Sequence, residues 1–372
     1  PSHAGLGALA IRSAVRGAGT LDAAALAYAT EGLGGTLSSS ASLDWTGLSL
    51  GALSDNLGPA AVLLRLAARE TVLGEADVLA ERGVMTEEAR QVADDMFRYP
   101  FQLAFAAAFG ERGYGRSIGG LPETLAALDV AQVHEWHRTR FVPARATVVA
   151  VGDLDPDRAA AALAGIFGDL PATVAGEPAP LQVQQLDPAT WQRVVEREKK
   201  QTAFAMVFPG PGRRDPFRHA AEVWSAIASG LGGRLFEALR DKRSLAYTVL
   251  GSSWSRRDGG AMLTYIATSP EREEEARAAM LVELQRFAEE LVSDAELSLG
   301  VNYLAGQAEV HRQSGAAVLG EIVDAWIAGE GLQELHDPAA RYRGVTAAMV
   351  REVAARYLTG PRAEGVVRGM RR

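Results

Sequence analysis

Two residues in the second half of the chain could do chemistry together. Arg243 and Tyr247 stand four positions apart at the end of GLGGRLFEALRDKRSLAYTV, residues 230–249, after a Gly-rich turn. A guanidinium and a phenol are both hydrogen-bond donors, and beside a carbonyl under attack they stabilise the oxygen that becomes negative. The plainer alternative is that Arg243 closes a helix C-terminus and Tyr247 is a half-buried strand residue. The other arrangement is His134 and His137 in VHEWH, since imidazoles at i and i+3 of a helix can face one ion. No third ligand stands nearby, and Val133, Trp136 and Phe141 mark that helix as one with a buried face, so structural or surface roles are expected for both. His3, His219, His311 and His336 are isolated. The chain has no G-x-S-x-G elbow and no Walker P-loop. Having no cysteine, it has no disulfide, thiol nucleophile or cysteine metal site.

Composition narrows the classes further. A length of 372 residues exceeds what one hydrophobic core usually supports, so two domains are the natural division. With 48% hydrophobic and 23% charged residues the composition is that of an ordinary globular protein. No run approaches the roughly 20 apolar residues of a bilayer span, so no membrane anchor is expected. The formal charge of −8 argues against a nucleic-acid partner, because binding a phosphate backbone demands a clustered basic face. The basic runs at 196–200, 213–214 and 371–372 are short and read as solvated surface. The chain opens at Pro1 with no basic n-region and no apolar h-region, so no secretion signal is read on it. A cytoplasmic or a periplasmic setting would each tolerate the lack of cysteine.

The elements that must carry these residues follow from periodicity. Helices are predicted over 21–33, 56–70, 75–96, within 121–141 and over 155–167, and LSSSASLDWTGLSLGAL alternates as a strand does. ATVVAVGDL from Ala146 reads as a β-branched strand. A Pro- and Gln-containing linker at 173–187 separates a first domain, 1–172, from a second, 188–372. In the second, a strand at 202–208, a helix at 217–229, strands around 247–254 and 261–267 and a long helix at 270–291 repeat the same order. The ends of both halves read helix, Arg-aromatic, turn, small-and-branched strand: 130–152 and 346–369. The predicted class is α+β, with two homologous domains.

The segment 230–249 resembles the second-domain signature of the pitrilysin-like (M16, inverzincin) zinc-peptidase family. The counterpart in the first half, GLGALAIRSAVRGAGT from Gly5, lies where that family reads roughly G-L-A-H-x-x-E-H-M-x-x-x-G-T. Ala8, Ile11 and Arg12 then stand where the first His, the catalytic Glu and the second His belong. ERGVMTEEARQ, residues 81–91, resembles the family's E-R-x-V-x-x-E-E-x-x-Q stretch and puts Glu88 at the third-ligand position, with Glu81 as its upstream partner. One carboxylate facing an arginine cannot hold zinc, so no metal or cofactor is expected on this chain, and an Arg12–Glu88 contact is expected in its place.

The resemblance implies a mixed or antiparallel sheet covered by helices in each half, the halves forming part of a clamshell, with family strands ahead of Gly5 outside this sequence. It implies a non-catalytic subunit that pairs with a homologous H-x-x-E-H subunit bearing the zinc, and lends Arg243 and Tyr247 to a composite peptide-hydrolysing site. Ser38, Ser39, Ser40 and Ala41 fall on the edge strand that in the family pairs with extended peptide. The alternatives are a non-enzymatic peptide-binding or scaffolding subunit and a homodimer of pseudo-peptidases.

Overall fold

A computed structural model describes residues 3–110, 113–141, 146–169, 191–230 and 232–370. In chain order the first part comprises α1 (Leu6–Ser13), β1 (Gly17–Ala18), β2 (Leu21–Asp22), α2 (Ala23–Glu31), β3 (Thr36–Ala41), β4 (Thr46–Gly51), α3 (Leu57–Arg69), α4 (Glu75–Asp94), α5 (Arg98–Phe109), α6 (Pro122–Ala126), α7 (Val130–Arg140) and α8 (Pro156–Phe167). The second comprises β5 (Gln192–Glu196), β6 (Thr202–Gly210), α9 (Arg218–Ala228), α10 (Arg234–Phe236), β7 (Thr248–Arg256), β8 (Gly259–Thr268), α11 (Glu273–Glu289), α12 (Asp294–His311), α13 (Gly315–Ala328), α14 (Pro338–Arg343), α15 (Ala347–Tyr357) and β9 (Ala363–Arg368). The class is α+β, as the sequence pattern requires. No helix among the described residues is long and apolar enough to cross a membrane.

The chain divides into two compact units, Pro1–Val92 with Ser117–Ala179, and Ala93–Arg116 with Pro180–Arg372. The linker expected at 173–187 lies outside the described residues. Residues 93–116 fall within the first domain of a division near residue 172, yet they belong to the second unit. The reason is packing. Helix α5 lies against β9 and β6, where the missing side chain of Gly365 lets the backbone approach; a Cβ there would meet the Pro100 carbonyl at 2.0 Å. Phe97 and Phe101 close on Tyr265, whose hydroxyl donates to the Met96 carbonyl at 2.9 Å.

In the first unit α1 packs on α7 through a core that joins Ala8, Leu9 and Ala10 to Val78 and Met85 of α4 and to Leu125 and Val133. Helix α7 is started by Asp129, whose carboxylate accepts from Gln132 N while the Gln132 side chain accepts from Asp129 N, a reciprocal cap. Two expectations are corrected here. The stretch from Leu37 is a hairpin of β3 and β4, because Ser42 Oγ accepts from Asp44 N and Trp45 N and folds residues 42–45 into a tight turn. Residues 146–151 form no strand: among the described residues no ladder partner lies beside them, whereas the repeated unit's β9 is held between β5 and β6.

The second unit is built on a five-stranded mixed sheet in the order β5-β9-β6-β8-β7, with β5 parallel to β9 and the remaining pairs antiparallel. Its strands β6, β8 and β9 are buried almost throughout, which suits a sheet covered on both faces. Helices α9, α11 and α15 share one core with it, around Trp224, Phe204, Phe208, Met280 and Phe287.

Candidate functional site

Two corners of the fold carry the residues singled out above, one in each unit. The first is where α1 meets α4. Ala8 and Ile11 are buried in the apolar face of α1, while Arg12 and Arg16, one turn apart, emerge beside α4. Glu81 and Glu88 are two turns apart on α4 and so share a face. Arg12 Nε donates to Glu81 at 2.6 Å, and its Nη1 and Nη2 donate to Glu88 at 2.7 and 3.0 Å. Arg16 donates to the other Glu81 oxygen at 2.7 Å. The Arg12–Glu88 contact is thus formed, and Glu81, only 3% exposed, is neutralised by two guanidinium groups. The hydrogen bond from Arg12 holds the Glu88 carboxyl below its ordinary range, and that same bond raises the Arg12 pKa.

This corner does not fit zinc. A tetrahedral site needs three or four neutral or anionic donors converging on one point, and here the methyl of Ala8 and the guanidinium of Arg12 stand at two of those positions, with apolar Ile11 at the position of the general base. The cation between the carboxylates is covalently part of the chain. No group of three metal-capable side chains occurs among the described residues. His134 is exposed, and His137 stacks on Phe141 with centroids 5.3 Å apart. Burial lowers the His137 pKa, against a hydrogen bond to the Ala68 backbone. The expected structural role fits that packing.

The second corner is the run from Gly230 to Thr248. Gly230 has φ +90°, and Gly233 passes so close to the Ser229 carbonyl that a Cβ would lie 2.2 Å from it. Helix α10 follows and widens into a π-helical turn at Glu237–Asp241. Leu235, Leu239 and Leu245 anchor this turn in the core. Arg234 fixes its base by two bonds to Glu296, at 2.8 and 2.9 Å, with its guanidinium 4.4 Å from the centre of the Phe287 ring.

The helix ends before Arg243, so the four-residue spacing to Tyr247 is not a helical one. Ser244 turns the chain with φ +49°, and its N–H donates to the Arg240 carbonyl at 2.8 Å. Tyr247 N then joins the sheet through Ala267 O at 3.3 Å, and β7 begins at the next residue. The cation brought to Tyr247 is Arg240, whose guanidinium lies 5.3 Å from the Tyr247 ring centre and 4.5 Å from that of Phe236. Sequence reasoning passed over Arg240. The π-helical turn and the positive φ of Ser244 bring it to Tyr247, and no short-range spacing announces either. Tyr247 is 73% exposed, and Arg243 is exposed.

Ser38 and Ser40 are exposed and Ser39 and Ala41 half-buried along β3, which pairs with β4 alone among the described residues. Ser38 Oγ and Ser49 Oγ are 2.9 Å apart across the hairpin.

A family model described as the peptidase M16 inactive domain matches residues 127–304. An uncharacterized zinc protease of Mycobacterium bovis is 29% identical over 232 residues, 62% of this chain and 53% of the relative. Over that segment this chain is similar to the M16 peptidase family. It spans about half the length of the curated relatives it matches first. The fold of this chain is shared by the peptidase M16 inactive domain of Pseudomonas fluorescens, with a TM-score of 0.88 at 20% identity, covering 99% of this chain and 89% of that one. A chain of complex III2 from Candida albicans has the same fold, with a TM-score of 0.80 at 16% identity over 99% of this chain and 87% of that one. The domain matched by the M16 model is the one that it describes as inactive.

Proposed function

We propose that this chain is a non-catalytic subunit of a composite M16 peptidase, pairing with a homologous subunit that carries H-x-x-E-H and zinc. The observation that carries this reading is Tyr247, 73% exposed with the guanidinium of Arg240 over its ring. Folding does not reward leaving a large aromatic ring and a cation together in water; a carbonyl that needs hydrogen-bond donors does. In this reading Arg240 and Tyr247 hold the backbone of an extended peptide and donate to its carbonyl oxygen, while the metal and the general base belong to the partner. The pair first expected, Arg243 and Tyr247, is thereby revised to Arg240 and Tyr247, with Arg243 at the margin. The β3 edge at Ser38, Ser39, Ser40 and Ala41 offers main-chain groups for strand addition by the peptide.

The test is hydrolysis of a quenched fluorescent peptide by this chain, by an H-x-x-E-H homologue and by their equimolar mixture. Activity in the mixture alone is the expected result. Full activity of the homologue without this chain would move it to the peptide-binding or scaffolding class. A self-associated species that needs no homologue would point to the homodimer.

A further inference from the structure

We propose that Arg243 is a specificity-determining residue that receives a carboxylate of the bound peptide, an inference that rests on the composite-site reading. Its backbone is braced by a side chain from outside the turn. Arg272 donates to the carbonyls of both Ser244 and Arg243, at 2.8 and 3.2 Å, and Arg272 is itself fixed by Glu275 at 2.9 and 3.0 Å. Ser244 is one of two non-glycine residues with positive φ among those described, a conformation that costs about 1 kcal/mol and persists only when its surroundings enforce it. The turn is also closed from within, by Ser244 N to Arg240 O and Leu245 N to Leu239 O, both at 2.8 Å. Arg243 is therefore presented from a hydrogen-bonded turn that lies between Arg240 and Tyr247 in the chain.

The charges around it are assigned elsewhere. Lys242 pairs with Glu237 at 2.7 Å, and Glu275, the carboxylate within electrostatic reach of Arg243, is already held bidentately by Arg272. Asp241 is exposed at the end of the π-helical turn, with no ion pair to Arg243. Among the described residues, the Arg243 guanidinium has no carboxylate of its own. A planar fork of donors on a rigid turn, next to groups suited to a peptide backbone, matches an acidic side chain or a C-terminal carboxylate.

Binding to this chain alone tests the assignment without requiring turnover. Four labelled peptides are titrated by fluorescence anisotropy: a central Glu or Gln, each as C-terminal acid or amide. The wild-type chain is expected to bind a carboxylate form about tenfold more tightly than its neutral counterpart, a difference of the size of one charge-assisted bond. The Glu/Gln pair and the acid/amide pair identify which carboxylate is read. Arg243→Gln should abolish the preference and Arg243→Lys should keep part of it. Equal affinities for all four peptides, or no binding of any, or a preference that survives Arg243→Gln would overturn the proposal. An inactive subunit mixture would sink the composite site while leaving this binding difference measurable.

Discussion

The corner between α1 and α4 and the corner between α10 and β7 solve opposite problems with the same side chain. In the first, Arg12 is spent within the chain: its Nε, Nη1 and Nη2 donate to Glu81 and Glu88, Arg16 donates to Glu81, and the charges of the junction cancel. In the second, among the described residues Arg240 is held by aromatic faces and not by a carboxylate, beside an exposed phenol. A guanidinium matched with carboxylates is a structural tie, whereas one stacked on rings keeps its hydrogen-bonding capacity for something outside the chain. The contrast is the reason we propose the second unit as the functional surface.

The sharpest way to break this contrast is to remove the open donors. Arg240→Ala and Tyr247→Phe are each expected to lower kcat/KM of the subunit mixture by roughly 10²–10³, the loss typical of one donor to a developing oxyanion. The same variants should unfold within about 1 kcal/mol of the wild type in urea, since a cation–π contact at an exposed site is worth no more. A large stability loss with little loss of rate would make the second corner structural as well.

The converse change acts on the closed corner. Arg12→Ala leaves Glu81 buried with Arg16 as its sole guanidinium and strands Glu88 beside it. Removing one partner of a buried pair costs several kcal/mol, and with Arg12 30% exposed and Arg16 retained we expect about 2 kcal/mol, read from urea denaturation. Peptide hydrolysis by the mixture, measured where both chains remain folded, should hold near the wild-type rate.

The smallest effect sharpens the same point through pH. Glu88 is held below the ordinary Glu value of 4.5 by its hydrogen bond from Arg12. A depressed folded pKa contributes stability that is complete above about 4.5 and is lost as pH falls through the folded value. Between pH 5 and 3 the wild type should therefore lose more stability than Arg12→Ala. Because Glu88 is half-exposed, the difference should stay below about 1 kcal/mol. Glu222 and Glu296, also depressed, titrate in both proteins and cancel in the comparison. Identical acid profiles would mean that the pair contributes nothing in solution.

Much of the site was legible before the fold. The Glu81 and Glu88 spacing places both carboxylates on one helical face, and an arginine at position 12 needs such a partner once α1 packs on α4. A helix within 121–141 and a long one from 270 follow from periodicity and are found as α7 and α11. What escaped was non-local or irregular. Arg240 was missed because the π-helical turn and the positive φ of Ser244, which bring it to the Tyr247 ring, leave no mark in residue spacing. The strand expected at 146–151 has the right residues but no neighbouring strand among those described. Helix α5 reads as a first-half element until Gly365, more than 250 positions away, is seen to admit its backbone.

The sequence by itself determined the α+β class, the lack of zinc-ligating side chains at positions 8 and 12 and of a carboxylate at position 11, and the presence of a guanidinium and a phenol near the start of β7. These depend on residue type and short-range spacing, which the chain carries along its length. Only the tertiary structure decided that Arg12 is consumed by Glu81 and Glu88, that Arg240 is the cation facing Tyr247, and that α5 covers the second unit's sheet. Each of these turns on which groups meet across long separations, and that is set by packing and by charge neutralisation once the helices and sheet are assembled.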